Sequence, residues 1–368
     1  MLHDDTVRKV LVYRIGSLGD TLVALPSLHL IVRVFPNAKR VLLTNIPIAS
    51  AAPASAQVLA GSGLIDDYIA YRVGTRSPAQ LLSLAGKIRR FAADVLVYLM
   101  PVRPLRDVER DRKFLRLAGV KRMIGLPGAD GLTHRFDPAT GLYESEAARL
   151  ARAISDLGDA HPDDLAMWDL HLTSPEREKA RHLMRPLAGT SLIACAPGCK
   201  MQANDWEKEN WRALLGRISA RNPELGLLMA GGGADSSVCD FAALDWRGPK
   251  INLAGQLTPR ETAAAFAGAQ LFLGPDSGPK HLAACAGVPC ICVFSARGKP
   301  GVWFPPGPHN VVVYHQPECH GCNLETCIEM QKKCIRSVTV EEMEAAAQRL
   351  LDSLNPSRGP GVRIPAVS

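Results

Sequence analysis

The sequence has no run of about 18 apolar residues, the length that a bilayer-spanning helix needs, so no transmembrane helix is expected. Its start, Met1-Leu2-His3-Asp4-Asp5, has acids where a secretory leader needs a basic start and an apolar core, which predicts a cytoplasmic location. Aromatic residues are few, at 5%, so there are few platforms for stacking bases. The excess of positive charge is only +7 and is dispersed, which together with the scarce aromatics argues against a nucleic-acid partner. That mild excess suits acidic substrates or an anionic membrane surface. There is no G-x-G-x-x-G fingerprint, which counts against a dinucleotide-dependent oxidoreductase. Nor is there an Asp-x-Asp pair.

What is present is an alternation of short apolar runs, glycine-bearing turns and amphipathic stretches. At 368 residues, 47% hydrophobic and 21% charged, the chain is long enough for two domains with their own cores. Lys9 to Ile15 reads as a first strand, followed by the turn Gly16-Ser17-Leu18-Gly19-Asp20. Thr21 to Val34 is apolar at helical spacing, and Arg40 to Thr44 is a second strand. Glycines permit a tight turn or the close approach of a ligand, and Asp20 falls at the carboxyl edge of a parallel sheet, where ligands bind. Asp20 serves equally well as a helix cap. Val95 to Met100 is another strand, and Arg103 and Arg106 lie just past its end, ahead of a charge-dense helix from Asp107 to Leu117. Those helix charges read as a solvated face, while Arg103 and Arg106 are the better candidates to meet an anionic acceptor.

The pattern loosens from Gly158 to Thr190, and a domain boundary is expected near Arg185 to Gly189, giving domains of 1–185 and 186–354. The second begins with a strand at Leu192 to Ala196 and the turn Pro197-Gly198-Cys199-Lys200. A helix follows from Trp206 to Ala220. The strand Leu225 to Ala230 then ends in Gly231-Gly232-Gly233-Ala234-Asp235. Asp235 can accept hydrogen bonds from a nucleoside or cap the next helix. Ala269 to Leu273 is a strand leading into Gly274-Pro275-Asp276-Ser277-Gly278-Pro279-Lys280-His281, a helix and a further strand from Cys290 to Phe294. Free N–H groups and the positive end of the dipole at that helix start suit a phosphate, or Asp276 and Ser277 merely cap it. The fold class expected is α/β, two Rossmann-like domains facing a cleft.

Three stretches carry a resemblance to glycosyltransferase family 9, which includes the heptosyltransferases of lipopolysaccharide core assembly and has the two-domain GT-B fold. They are Arg14 to Asp20; Pro197-Gly198 with Lys200, Trp206 and Gly231 to Asp235; and Asp276-Ser277-Gly278-Pro279-x-His281 with Gly287-Val288-Pro289. The resemblance implies an inverting, metal-independent sugar transfer that requires no cofactor. The donor is a nucleotide sugar, with ADP-heptose the leading choice, and the acceptor is a glycolipid or glycan of the cell surface. Asp20 would be the catalytic base. Gly198, Asp276, Ser277, Gly278 and His281 would hold the donor, with Asp235 on its nucleoside. Gly19, Arg103 and Arg106 would meet the acceptor. The family commonly has a lysine shortly before the tryptophan of the second stretch, and this chain has Asn204-Asp205-Trp206; Lys200, in the same loop, is the replacement expected. That departure leaves room for a member that binds a nucleotide sugar without turning it over, and a different sugar or a protein acceptor is a further alternative.

Cys319-x2-Cys322-x4-Cys327-x6-Cys334 lies in a cysteine-rich loop, 315–336. The first pair has metal-ligand spacing, so a structural zinc or iron site is one reading; a disulfide pair and free thiols are the others. Cys195, Cys285, Cys290 and Cys292 read as core thiols. The tail 355–368 is rich in Pro, Gly, Ser and Arg and is expected to be disordered. Its arginines offer a peripheral contact with the inner membrane.

Overall fold

The computed structural model describes residues 4–46, 55–72, 74, 77–128 and 133–354; the expected disordered tail lies outside them. The chain divides into two units. One runs from Met1 to Thr173 and takes in the returning segment Pro300–Pro306. The other runs from Ser174 to Lys299 and resumes at Gly307.

The first unit contains β1 (Lys9–Tyr13), α1 (Leu18–Leu22), α2 (Leu25–Val34), β2 (Lys39–Asn45), α3 (Ser55–Leu59), β3 (Asp67–Tyr71), α4 (Pro78–Phe91), β4 (Val95–Tyr98), α5 (Leu105–Leu117) and β5 (Met123–Ile124). Its sheet is parallel with the order β3-β2-β1-β4-β5. The chain winds outward from β1 to β3 and returns to β4, so the order reverses between β1 and β4, the position at which open parallel sheets bind ligands. Central strands covered on both faces read as unbroken apolar runs, and Val10 to Tyr13 and Val95 to Tyr98 are buried throughout. A two-stranded ribbon, β6 (Phe136–Asp137) and β7 (Leu142–Tyr143), precedes α6 (Glu146–Ala153). Segment 300–306 adds to this region: the Tyr143 N–H donates to the Pro300 carbonyl at 2.8 Å and the Glu146 N–H to the Val302 carbonyl at 2.9 Å.

The second unit contains α7 (Ser174–Leu183), β8 (Leu192–Cys195), α8 (Lys208–Arg221), β9 (Gly226–Met229), α9 (Ser236–Ala242), β10 (Lys250–Asn252), α10 (Pro259–Phe266), β11 (Ala269–Pro275), α11 (Gly278–Cys285), β12 (Cys290–Val293), β13 (Val311–Val313), α12 (Lys333–Arg336) and α13 (Val340–Leu354). Its parallel sheet has the order β10-β9-β8-β11-β12-β13 and reverses between β8 and β11. Trp206 and Trp211 meet edge to face at 4.8 Å in its core. Met343, Ala346, Ala347, Leu350 and Leu351, spaced to form one face of α13, join that core.

Two boundaries differ from the sequence reading. The single helix expected from Thr21 to Val34 is two, because Pro26 lacks an N–H for a continuing ladder and sits instead in the first turn of α2. The division between units falls before α7, ahead of Arg185, because α7 is tied to α10. Glu176 pairs with Arg260 through bonds of 2.5 and 3.0 Å, and Lys179 reaches Glu261 at 3.0 Å.

Candidate functional site

The turn after β1 shows why glycine is required at Gly16. Its φ is +139°, and a Cβ there would lie 2.2 Å from the Asp20 Cβ. Asp20 is the third residue of α1. Its Oδ2 accepts the Ser17 N–H at 2.8 Å and the Ser17 hydroxyl at 3.0 Å. The capping role and the exposed carboxylate are therefore one arrangement: Oδ2 anchors the helix start, and the side chain keeps 24% of its surface open. Gly19, half-buried, precedes it within the first turn.

Beneath Asp20 lies Arg14, 2% exposed. Its Nε donates to the Asp20 carbonyl at 3.0 Å, and Nη1 donates to the Leu99 carbonyl at 2.9 Å and to Glu146 at 3.0 Å. Nη2 lies 3.8 Å from Asp20 Oδ1 and is buried without a hydrogen bond. Glu146, in the first turn of α6, also accepts from Arg149 at 2.7 and 2.8 Å and meets His134 at 3.0 Å. Burial opposes its ionisation. The bonds from Arg149 and His134 and the nearby Arg14 charge outweigh that and hold its carboxyl well below the usual range.

Arg103 is not a free cation. Its Nη1 donates to Asp111 at 2.6 Å, and Asp111 also accepts the Tyr98 hydroxyl at 2.9 Å. Tyr13 and Tyr71, at the ends of β1 and β3, share a hydrogen bond of 2.5 Å beside it. Arg106 is exposed.

In the second unit the same device recurs. Asp235 accepts the Gly232 N–H at 2.8 Å. A Cβ at Gly198 would lie 2.4 Å from its Cγ and one at Gly231 2.8 Å from its Oδ2, so the turns after β8 and β9 close only around glycine. Lys200 ends the turn after β8 with its side chain exposed. Across the strand reversal, β11 leads into Asp276 and Ser277, which precede the first turn of α11. Ser277 makes no side-chain cap bond, and its hydroxyl is buried without a partner. The Asp276 carbonyl accepts from Asn204 Nδ2 at 3.1 Å, and its carboxylate meets Lys280 at 2.6 Å. His281 is 2% exposed, and burial together with the Lys280 charge pushes its imidazole well below the usual range, so it is neutral. Gly278, His281, Asp276 and Ser277 thus share one turn, with Gly198 and Lys200 on the loop of the neighbouring strand.

The cysteine loop, 315–336, carries Cys319, Cys322, Cys327 and Cys334 as free thiols. Among the described residues no three Cys, His, Asp or Glu side chains converge to hold an ion. The loop is fastened in other ways. The Cys327 N–H donates to Gln202 at 2.8 Å, Gly321 and Asn323 bond to the Ala296 and Arg297 carbonyls, and the Arg297 guanidinium caps the carbonyls of Asn323 and Leu324. These bonds leave Cys322 exposed and Cys327 buried. Cys195, Cys290 and Cys292 are core thiols as expected, whereas Cys285 is only half-buried.

The sequence reading missed Glu146, Arg149, Asp111 and Lys280. An acid in a first helical turn is ordinary capping chemistry, so Glu146 carried no signal of its own. Lys280 stood inside the third stretch as its one unassigned position. No helix among the described residues is long and apolar enough to cross a membrane.

The chain resembles known proteins along both sequence and fold. It is 25% identical over 175 residues to lipopolysaccharide heptosyltransferase 3 of Escherichia coli, an alignment covering 47% of this chain and 51% of that protein. It thus spans about half the length of the curated relatives it matches. The crystal structure of a glycosyltransferase family 9 protein from Veillonella parvula shares the fold with a TM-score of 0.70 at 18% identity, covering 94% of this chain and 97% of that one. The ADP-heptose lipopolysaccharide heptosyltransferase II of E. coli shares it with a TM-score of 0.65 at 15% identity, covering 95% and 99%. The family model described as glycosyltransferase family 9 (heptosyltransferase) matches residues 147–333, a stretch that holds Gly198, Lys200, Asp235 and the turn from Asp276 to His281. By that match the chain belongs to glycosyltransferase family 9.

Proposed function

We propose that the protein is an inverting glycosyltransferase that moves a sugar, heptose from ADP-heptose, to a lipopolysaccharide-core or other surface-glycan acceptor at the cytoplasmic face of the inner membrane. The observation that carries this reading is that each parallel sheet places an acid-bearing turn beside its strand reversal: Asp20 after β1 and Asp276 to His281 after β11. Acceptor activation is assigned to the first. The free oxygen of Asp20 takes the proton from an acceptor hydroxyl as that oxygen attacks the anomeric carbon, and Ser17 and Arg14 hold the carboxylate in place. Donor binding is assigned to the second. As the bond to the diphosphate breaks, charge builds on the leaving oxygens, and the N–H groups opening α11 together with Lys200 meet it. Asp235 contacts the nucleoside, and Arg106 and Gly19 meet the acceptor. Arg103, already paired with Asp111, offers the acceptor a neutral hydrogen-bonding edge more than a free charge.

The reading is tested by incubating the protein with ADP-heptose and a heptose-deficient lipopolysaccharide acceptor and following ADP release. Stoichiometric sugar transfer supports it. Binding of ADP-heptose without release, for every acceptor offered, supports instead a family member that binds and does not turn over. The observation favouring that second reading is Asn204-Asp205 before Trp206, where the family commonly has a lysine.

A further inference from the structure

Lys280 is the one charged side chain of the α11 turn that the reading above leaves without a task. It is 1% exposed, in the first turn of an eight-residue helix. Burying an ammonium is costly unless it is paired, and in this turn the pairing is specific. Nζ meets Asp276 Oδ1 at 2.6 Å and His281 Nε2 at 3.0 Å, and lies over the Phe294 ring at 5.1 Å. Lysine has only donors. The contact with Nε2 therefore fixes that nitrogen as an acceptor and puts the proton of the neutral ring on Nδ1.

We propose that Lys280 is a positioning residue of the donor site, which makes the α11 turn competent for a diphosphate by cancelling the charge of Asp276 and setting the tautomer of His281. The inference rests on reading that turn as the diphosphate site. Asp276 belongs to that turn through its backbone, while its carboxylate, already paired with Lys280, is favourable for the helix start but repels an anion that seeks the same N–H groups. The Asp276 backbone is held in this turn, since Asn204 Nδ2 donates to its carbonyl at 3.1 Å and the Ser295 hydroxyl donates to Asn204 Oδ1 at 2.5 Å. Lys280 removes the conflict from below, leaving the outer side of the turn free for the ligand.

The test is calorimetric titration of the whole protein with inorganic pyrophosphate and with ADP, in wild type, Lys280→Met, Asp276→Asn and the double variant, with melting curves to confirm folding. Lys280→Met should weaken pyrophosphate at least about tenfold, the equivalent of about 1.4 kcal/mol. Adding Asp276→Asn to it should restore binding to within about threefold of wild type, since the charge that needed cancelling is gone. Asp276→Asn alone should bind pyrophosphate at least as tightly as wild type, and this arm decides the matter if Lys280→Met does not fold. A merely structural lysine would not be rescued by its partner's neutralisation. The proposal is overturned if Lys280→Met binds like wild type, if the double variant stays as weak as the single one, or if Asp276→Asn alone weakens binding. Wild type that binds pyrophosphate but not ADP would sink the ADP-sugar reading while leaving the role of Lys280 standing; binding of neither would overturn both.

Discussion

Replacing Glu146 by Gln removes one charge from a site where two guanidinium groups depend on it. Glu146 is 1% exposed and accepts four hydrogen bonds, from Arg14, from Arg149 twice, and from His134. Arg14 and Arg149 are 2% and 3% exposed, so neither can turn to water for solvation. Breaking a buried ion pair by removing one partner costs about 3–5 kcal/mol, because the other charge is left uncompensated. Glutamine keeps the shape and one acceptor oxygen, so the lower end, about 3 kcal/mol, is expected. For a folding unit of this size each kcal/mol moves the melting temperature by about 2–4 °C, which gives a fall of about 6–12 °C. Thermal unfolding followed by circular dichroism or calorimetry measures it. The pH dependence supplies a second arm. The Glu146 carboxyl is held below its ordinary range in the folded state, so its stabilisation is fully present above the unfolded pKa and is lost as pH falls toward the folded one. Wild type should lose this contribution below about pH 4, and Glu146→Gln should lack that part of the slope. A loss of less than about 1 kcal/mol at pH 7 would refute the reasoning, because it would place the two arginines in contact with water.

Gly16→Ala should abolish turnover while leaving ADP binding within about twofold, since the new Cβ would displace the Asp20 carboxylate, which is assigned to the acceptor and not to the donor; equal losses of both, measured by ADP release and titration, would contradict this. Gly198→Ala should do the reverse and weaken ADP at least about tenfold by pushing Asp235 aside; unchanged affinity would mean that Asp235 does not contact the nucleoside. On the free-thiol reading of the 319–334 stretch, treatment with a chelator leaves the melting temperature unchanged; a drop of several degrees, with released zinc or iron, would show the metal-site reading instead.

The alternation of apolar runs and glycine turns was enough to read both parallel sheets, because buried central strands and tight βα turns leave their mark locally. Asp20 and Asp235 stand out in the sequence because each ends a glycine-bearing turn after a strand; in the structure each accepts the N–H three residues before it and lies against a glycine. What stayed hidden was long-range pairing. Glu146 is 132 positions from Arg14, and nothing near it in sequence signals a buried ion cluster. Asp111 sits in a helix full of surface charges and looks like one of them until Tyr98 and Arg103 are seen to bond to it. The break between α1 and α2 was written in Pro26 and was masked by an apolar pattern that continues through it.

The measurement that bears most directly on the account is Asp20→Asn, assayed side by side for sugar transfer from ADP-heptose and for ADP binding. Asparagine preserves the bond to the Ser17 N–H but cannot take a proton. The account predicts that transfer falls by at least about a hundredfold, the scale of a lost general base, while ADP affinity is unchanged. Transfer at the wild-type rate would contradict it.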